Sequence, residues 1–110
     1  MNWHIEYFSS KVQEEIENLP IGIRAAYARV TSLLTEFGID LRMPHSKALG
    51  HGLFELRVKG SEGIARVFYC TLIGKRVMIL HSFIKKTEKI PNKELKLAIL
   101  RMKEVKYEKI

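Results

Sequence analysis

The sequence has very little cysteine and proline, with one cysteine, Cys70, and three prolines in 110 residues. A single cysteine excludes an internal disulfide framework and suits a reducing compartment, so we expect a cytoplasmic protein. Without a cysteine partner Cys70 cannot form a redox motif. We expect it to be a small buried hydrophobic residue in a strand.

Long apolar segments are also missing. No run approaches the roughly 18–20 apolar residues that a membrane-spanning helix needs. Residues 1–8 lack the basic region and apolar core of a signal peptide. The chain is 46% hydrophobic and 28% charged, which fits one soluble globular domain over residues 1–110 without membrane contact.

Acidic residues are scarce where basic residues concentrate. The net charge is +7, and residues 41–86 hold nine basic and two acidic side chains. Residues 1–40 carry −3 and residues 87–110 carry +3. This concentration is typical of a polyanion-binding surface. Solvated lysine-rich surfaces are common, however, so charge by itself does not establish nucleic-acid binding.

The most basic segment also has the clearest strand pattern. β-Branched and aromatic residues fill three runs that glycine-containing turns separate. They predict consecutive antiparallel strands at about Leu53–Lys59, Ile64–Leu72 and Arg76–Lys85. Alternation over residues 3–7 predicts a further short strand at one edge of the sheet.

Two helices are predicted between the first strand and these three. Ser10 and Gln13 have the spacing of a capping box, in which Ser10 caps a short helix that Pro20 ends. Apolar residues at three- and four-residue steps predict a longer helix over Ile21–Phe37. Gly38 supplies its stop. The two helices should form a hairpin.

The remaining segments complete an α+β prediction. Asp40–Gly52 is expected to be a loop, and its His45 and His51 lack the companion ligands and spacing of a zinc site. Pro91 and Asn92 begin a last helix. The predicted order is β-α-α-β-β-β-α, with the helices packed on one face of a small antiparallel sheet.

Basic side chains stand among the apolar residues of the predicted strands. They are Arg57, Lys59, Arg66, Lys85 and Lys86. By strand alternation Arg57 shares a face with Glu55 and Lys59, and the intervening residues face the core. An arginine directed inward from a strand is costly unless it meets an anion. The sheet therefore predicts an anion-binding surface.

Three runs in register resemble a known family. They are GLFELRV at residues 52–58, ARVFY at 65–69, and LHSFIKKT at 80–87 with IP at 90–91. They are similar to the phage-derived, HigB-like branch of the RelE/ParE toxin superfamily. The resemblance extends over nearly the whole chain and includes the central Ala98 of the last helix. Ser82 and Glu88 depart from it, standing where the branch usually has glycine and glutamine.

The resemblance implies a RelE-like fold and a type II toxin–antitoxin toxin. Such toxins are most often ribosome-dependent mRNA endonucleases that inhibit translation, and no cofactor or metal is implied. The expected partners are the ribosome, mRNA and a cognate helix-turn-helix antitoxin, whose complex could reach operator DNA. Two alternatives stay open, because a fold does not determine a target: a ParE-like inhibitor of DNA gyrase and a non-catalytic nucleic-acid-binding module.

Cleavage of RNA without a metal uses the ribose 2′-hydroxyl to attack the adjacent phosphate, on which negative charge grows. Arg57 and Arg66 suit this phosphate because a guanidinium stays charged and can bind two oxygens. Arg66 is either an active-site residue or the partner of Glu55 in a structural ion pair. Glu55 is either the general base or the carboxylate that orients the arginines.

Three further residues are candidates for catalysis. Lys85 and Lys86 end the last strand, and we expect one to face the groove and the other to flank it. A lysine among arginines could act as an acid or base, or could only hold the phosphate. His81 is an acid–base residue type, but its place in mid-strand favours a buried, hydrogen-bonded histidine.

Four residues are candidate RNA contacts. Arg42 and Lys47 in the predicted loop could bind phosphates or be solvated, and Lys59 on its strand is a further candidate RNA contact. Tyr69 could stack on a base or complete the core, and we favour the core. A sheet that recognises RNA normally presents exposed aromatic side chains. The strand phenylalanines are spaced more like core residues, which weakens the non-catalytic alternative.

Overall fold

The computed structural model describes residues 2–107, which contain five strands and three α-helices. They are β1 (His4–Tyr7), α1 (Ser10–Glu17), α2 (Ile21–Phe37), β2 (Ser46–Gly50), β3 (Leu53–Gly60), β4 (Gly63–Leu72), β5 (Arg76–Ile84) and α3 (Asn92–Tyr107). The α+β class is confirmed. In this part of the chain no helix has the length and apolarity to cross a membrane.

The strands form one mixed sheet in the order β1-β5-β4-β3-β2. β1 lies at an edge, as predicted, but runs parallel to β5, with His4 opposite Arg76 and Tyr7 opposite Ile79. The expectation of an antiparallel sheet is therefore wrong at this edge. A parallel pair needs a long connection, and the intervening helices and strands supply it. Arg76 also donates to both carboxylate oxygens of Glu6, at 2.7 and 2.8 Å.

β2 lies where the sequence predicted a loop over Asp40–Gly52. Its residues Ser46 and Lys47 pair with Leu56 and Glu55 of β3. The run SKALG has few β-branched or aromatic residues, so pairing with β3 rather than local propensity makes it a strand. Pairing with β3 places the side chains of β2 on the same sheet as the basic residues.

The helices lie on both faces of the sheet, whereas the sequence prediction placed them on one. Tyr69 belongs to the core under α1 and α2. Its neighbour Phe68 belongs to the core under α3, with Ala98 and Met102. Consecutive strand residues point to opposite faces, so these are two separate layers. The apolar stripe of α3 shows that the helix packs, but it does not show against which face.

The start of α1 differs by one residue from the prediction. Ser9, rather than Ser10, is the N-cap, and its side chain accepts a hydrogen bond from the Val12 amide at 3.2 Å. The predicted capping box of Ser10 and Gln13 is therefore wrong. Ser9 is in the extended conformation that an N-cap requires, and Ser10 is already helical.

The start of α2 is capped from a distant part of the chain. The Glu62 carboxylate, in the β3–β4 turn, accepts hydrogen bonds from the amides of Gly22 and Ile23 at 2.8 and 3.0 Å. The turn lies directly against the helix, since a Cβ on Gly60 would come within 2.5 Å of the Ile23 nitrogen. α2 then runs to Phe37, as predicted.

Candidate functional site

The face of the sheet that carries α3 is only partly covered by it. α3 packs on Phe68, Cys70 and Leu80, toward one end of the central strands. Toward the other end, the strand pairing puts Arg57 opposite Arg66. Directly opposed residues share a face. We use the name basic face for the uncovered group formed by Glu55, Arg57, Arg66 and Lys85.

Arg66 is held in place by two acceptors. Its Nη1 donates to Glu55 Oε2 at 3.0 Å, and its Nη2 donates to the backbone carbonyl of Glu88 at 3.2 Å. The side chains of Arg66 and Glu55 are only 12% and 10% exposed. The ion pair considered from the sequence is therefore present, and Glu55 orients this guanidinium.

Arg57 has a different environment from its neighbour across the sheet. It is exposed, and within residues 2–107 its side chain makes no ion pair or side-chain hydrogen bond. Like charges directly opposite on two strands destabilise the pairing. An anion between Arg57 and Arg66 would relieve that repulsion, so the pair is suited to hold a phosphate.

A cavity of about 230 Å³ opens in front of this pair. It is lined by Met43, Pro44, His45, Ser46, Lys47, Glu55, Arg57, Arg66 and Glu88. A recess of about 20 Å³ beside it brings in Lys85. Most of these side chains are polar or charged, so the cavity suits a charged ligand rather than an apolar one.

Lys85 faces this site and Lys86 lies outside it on the surface. The Lys85 side chain is 13% exposed, and its Nζ donates to both carboxylate oxygens of Glu88 at 3.2 Å. Lys86 is exposed. This agrees with the expectation that one of the two lysines faces the groove. Glu88 adds a negative charge beside Lys85.

His45 is a site residue that the sequence analysis considered only as a metal ligand. It precedes β2 and lines the cavity with Arg57 and Glu55. A histidine can accept and donate protons near neutral pH. The local sequence gave no strand signal for β2, so nothing placed His45 beside the arginines. Within residues 2–107, no cluster of three or more His, Cys, Asp or Glu could hold a metal.

His81 lies away from the cavity, between the sheet and α3. It is 8% exposed, and its Nε2 is 2.6 Å from Glu94 Oε1. Its ring stacks with Phe68 and Phe83 at centroid distances of 6.4 and 6.1 Å. His81 is thus the buried, hydrogen-bonded histidine that the sequence favoured. Its position does not support the predicted catalytic role.

Tyr69 lies in the core, as was favoured from the sequence. It is 1% exposed, points toward α1 and α2, and shares a 2.6 Å hydrogen bond with the Ser46 hydroxyl. Its ring stacks on Phe54 at 5.3 Å. Burial raises the pKa of Tyr69. Its prediction as an RNA contact is wrong for this conformation, because the ring is not accessible to a base. Cys70 is buried, as predicted.

The remaining predicted RNA contacts are distributed unequally. Lys47 lines the cavity, and Lys59 lines a neighbouring cleft that also contains Arg57. Arg42 is exposed and lies outside the lining of both. The structure thus brings Lys47 and Lys59 near the basic face. For Arg42 an RNA contact stays a prediction.

The sequence was compared with those of known proteins. Residues 14–103 match a family model described as "Phage derived protein Gp49-like (DUF891)". The match runs from α1 into α3 and includes every residue of the basic face. No curated protein matches the chain.

Proposed function

Because the chain belongs to the Gp49-like family of phage-derived proteins, we propose that it is the toxin of a type II toxin–antitoxin system. In this proposal it is an endoribonuclease that cleaves mRNA on the ribosome and so stops translation. The observation that carries the proposal is the opposed pair Arg57 and Arg66 at the cavity on the open part of the sheet. A gyrase inhibitor that acts by protein contact needs no such phosphate site.

The two arginines have complementary tasks in this reaction. Arg66 is fixed by Glu55 and Glu88, so its guanidinium is positioned before the RNA arrives. Arg57 has free donors that can turn to the scissile phosphate. Preorganised cations stabilise the charge that develops on the phosphate oxygens, and this term is commonly the largest in such catalysis. Lys85 adds a third cation at the recess.

Proton transfer is assigned to His45. The attacking 2′-hydroxyl must lose a proton, and the leaving 5′-oxygen must gain one. His45 and Glu55 both line the cavity. The Glu55 carboxylate already binds Arg66, which makes it a positioning residue rather than the base. His45 has no side-chain hydrogen bond within residues 2–107, so its ring is free to bind a ribose hydroxyl.

The proposed partners follow from the charge of the site. A cognate antitoxin would neutralise the protein by placing an acidic segment over the basic face. A helix-turn-helix antitoxin would also carry the complex to operator DNA. A small helix-turn-helix reading frame beside the gene would support this part of the proposal.

The function can be tested by inducing the protein alone and together with its neighbouring gene product. Induction alone should arrest growth with early loss of methionine incorporation and broken mRNA, and coexpression should restore growth. Early loss of thymidine incorporation with intact mRNA would instead identify a gyrase inhibitor. Normal growth while folded protein accumulates would contradict a toxin function.

A further inference from the structure

A second cleft lies next to the cavity and shares Arg57 and His45 with it, but its remaining lining residues have no role in the reaction described above. It has a volume of about 400 Å³ and lies between α2 and the β2–β3 edge of the sheet. It is lined chiefly by Ala26, Arg29, Val30, Leu33, Arg57 and Lys59. We call it the α2 cleft. Pro44 and His45 also line it, as they line the cavity, so the two are adjacent.

The α2 cleft contains three cations and no carboxylate. Within residues 2–107, Arg29, Arg57 and Lys59 make no ion pair or side-chain hydrogen bond. By contrast, Arg66 and Lys85 each have a carboxylate within 3.2 Å. Three unneutralised cations around one cleft repel one another and attract an anionic ligand. The charge therefore indicates a binding site rather than a solvated surface with balanced charges.

The floor of the cleft is apolar, which restricts the kind of anion. Val30 and Ala26 are buried and Leu33 is half-buried, and Pro44 completes this surface. Inorganic phosphate would leave these groups without a partner. The volume falls within the roughly 300–1,000 Å³ of small-molecule sites. A ligand with a negative charge and a flat, weakly polar ring matches both parts, and a nucleotide has this composition.

We propose that the α2 cleft binds the nucleotide adjacent to the cleaved bond, on the same RNA strand. Arg29 and Lys59 contact its phosphate, and its base packs on Val30 and Leu33. Arg57 lies in the lining of both the cleft and the cavity, so one strand can pass from one to the other. This inference rests on the proposed function, and it makes Arg29 and Lys59 binding residues that contribute to substrate selection.

The test uses the full chain and a pool of 2′-O-methyl RNA tetranucleotides, which lack the attacking hydroxyl and stay intact. Arg29→Gln should weaken RNA binding about fivefold to tenfold. The slope of the logarithm of the association constant against the logarithm of the salt concentration should become less negative by about 0.7. Arg24→Gln, an exposed arginine on the same helix, is the matched control and should change neither quantity. In NMR titrations the amides of Val30 and Leu33 should shift.

Three outcomes would overturn the inference. They are no saturable binding by the wild type at low salt, equal effects of Arg29→Gln and Arg24→Gln, and equally strong competition by an acidic peptide. Cleavage on programmed ribosomes is measured in parallel, so the two proposals can fail separately. If the protein cleaves mRNA but Arg29→Gln does not weaken RNA binding, only the assignment of the α2 cleft as a nucleotide site is wrong. If RNA binding depends on Arg29 but no mRNA is cleaved, the proposed nuclease function is wrong and the α2 cleft is still a nucleotide-binding site.

Discussion

Arg57 and Arg66 face each other across β3 and β4, and within residues 2–107 only Arg66 forms an ion pair with a carboxylate. Glu55 cancels much of one charge and leaves the other for a ligand. This asymmetry separates two tasks that the sequence could not separate, since both residues are simply arginines on neighbouring strands. We therefore expect different results from substituting Arg66 and from substituting Arg57.

Arg66→Ala should reduce single-turnover cleavage on programmed ribosomes by about 10²–10³, with a much smaller loss of ribosome binding. The guanidinium stabilises charge that appears mainly in the transition state. Arg66→Lys should restore only part of the rate, because an ammonium cannot make the paired contact. Arg66→Ala should also melt at a lower temperature than the wild type, since Glu55 is left buried without its partner.

Lys103→Ala, a change on the exposed surface of α3, provides the control for Arg66. It should leave the cleavage rate, ribosome binding and melting temperature unchanged. Melting temperature is measured with each rate to separate catalysis from folding. A folded Arg66→Ala protein that cleaves at the wild-type rate would remove Arg66 from the active site.

Arg57→Gln should lower cleavage by about 10–100-fold without lowering the melting temperature. Arg57 has no partner to lose within residues 2–107, and its removal relieves repulsion with Arg66. Thermal unfolding and single-turnover cleavage are the two measurements. A large drop in melting temperature would show that Arg57 has a structural role instead.

Glu88→Gln should raise RNA affinity and cleavage about twofold to fivefold. The Glu88 side chain is 94% exposed and its carboxylate lies on Lys85, where it competes with phosphate. Such an exposed pair contributes little to stability, so the melting temperature should not move. Glu104→Gln on α3 removes the same charge away from the site and controls for general electrostatics. Equal gains from both variants would contradict a local effect.

His45→Asn should reduce cleavage by about 10²–10⁴ without lowering the melting temperature. The physical reason is the loss of the proton-transfer group next to the ribose. His51→Asn is the matched control, since His51 is exposed and lies outside the lining of the cavity. A folded His45→Asn protein that cleaves at the wild-type rate would show that another group transfers the protons.

Glu62→Gln should lower the melting temperature at pH 7 by a few degrees and should flatten the acid dependence of stability. Hydrogen bonds, first of all from the Gly22 amide, hold the pKa of Glu62 below its ordinary value of 4.5, against an opposing effect of desolvation. A lowered folded-state pKa gives stability that is present above the unfolded value and is lost as pH falls through the folded value. Thermal melts between pH 7 and pH 3 measure both effects.

Helix α2 and strands β3–β5 could be predicted to within about one residue, because their apolar periodicity is strong and glycines mark their ends. The arginines of the basic face could be predicted for the same reason. β2 could not, since it exists through pairing with β3 rather than through its own residues. Because β2 was not predicted, the positions of His45 and Lys47 beside the cavity could not be predicted either. The core position of Tyr69 was favoured from the sequence, but its layer was not, since a tyrosine in a strand can point to either face of the sheet.

The parallel edge pair sets an order on synthesis. His4 pairs with Arg76 and Tyr7 with Ile79, so β1 cannot pair in the sheet until β5 has been synthesised. Most contacts of a nascent chain can form locally, but this one requires β5 to clear the exit tunnel. The sheet therefore lacks its parallel edge strand until β5 has emerged from the ribosome.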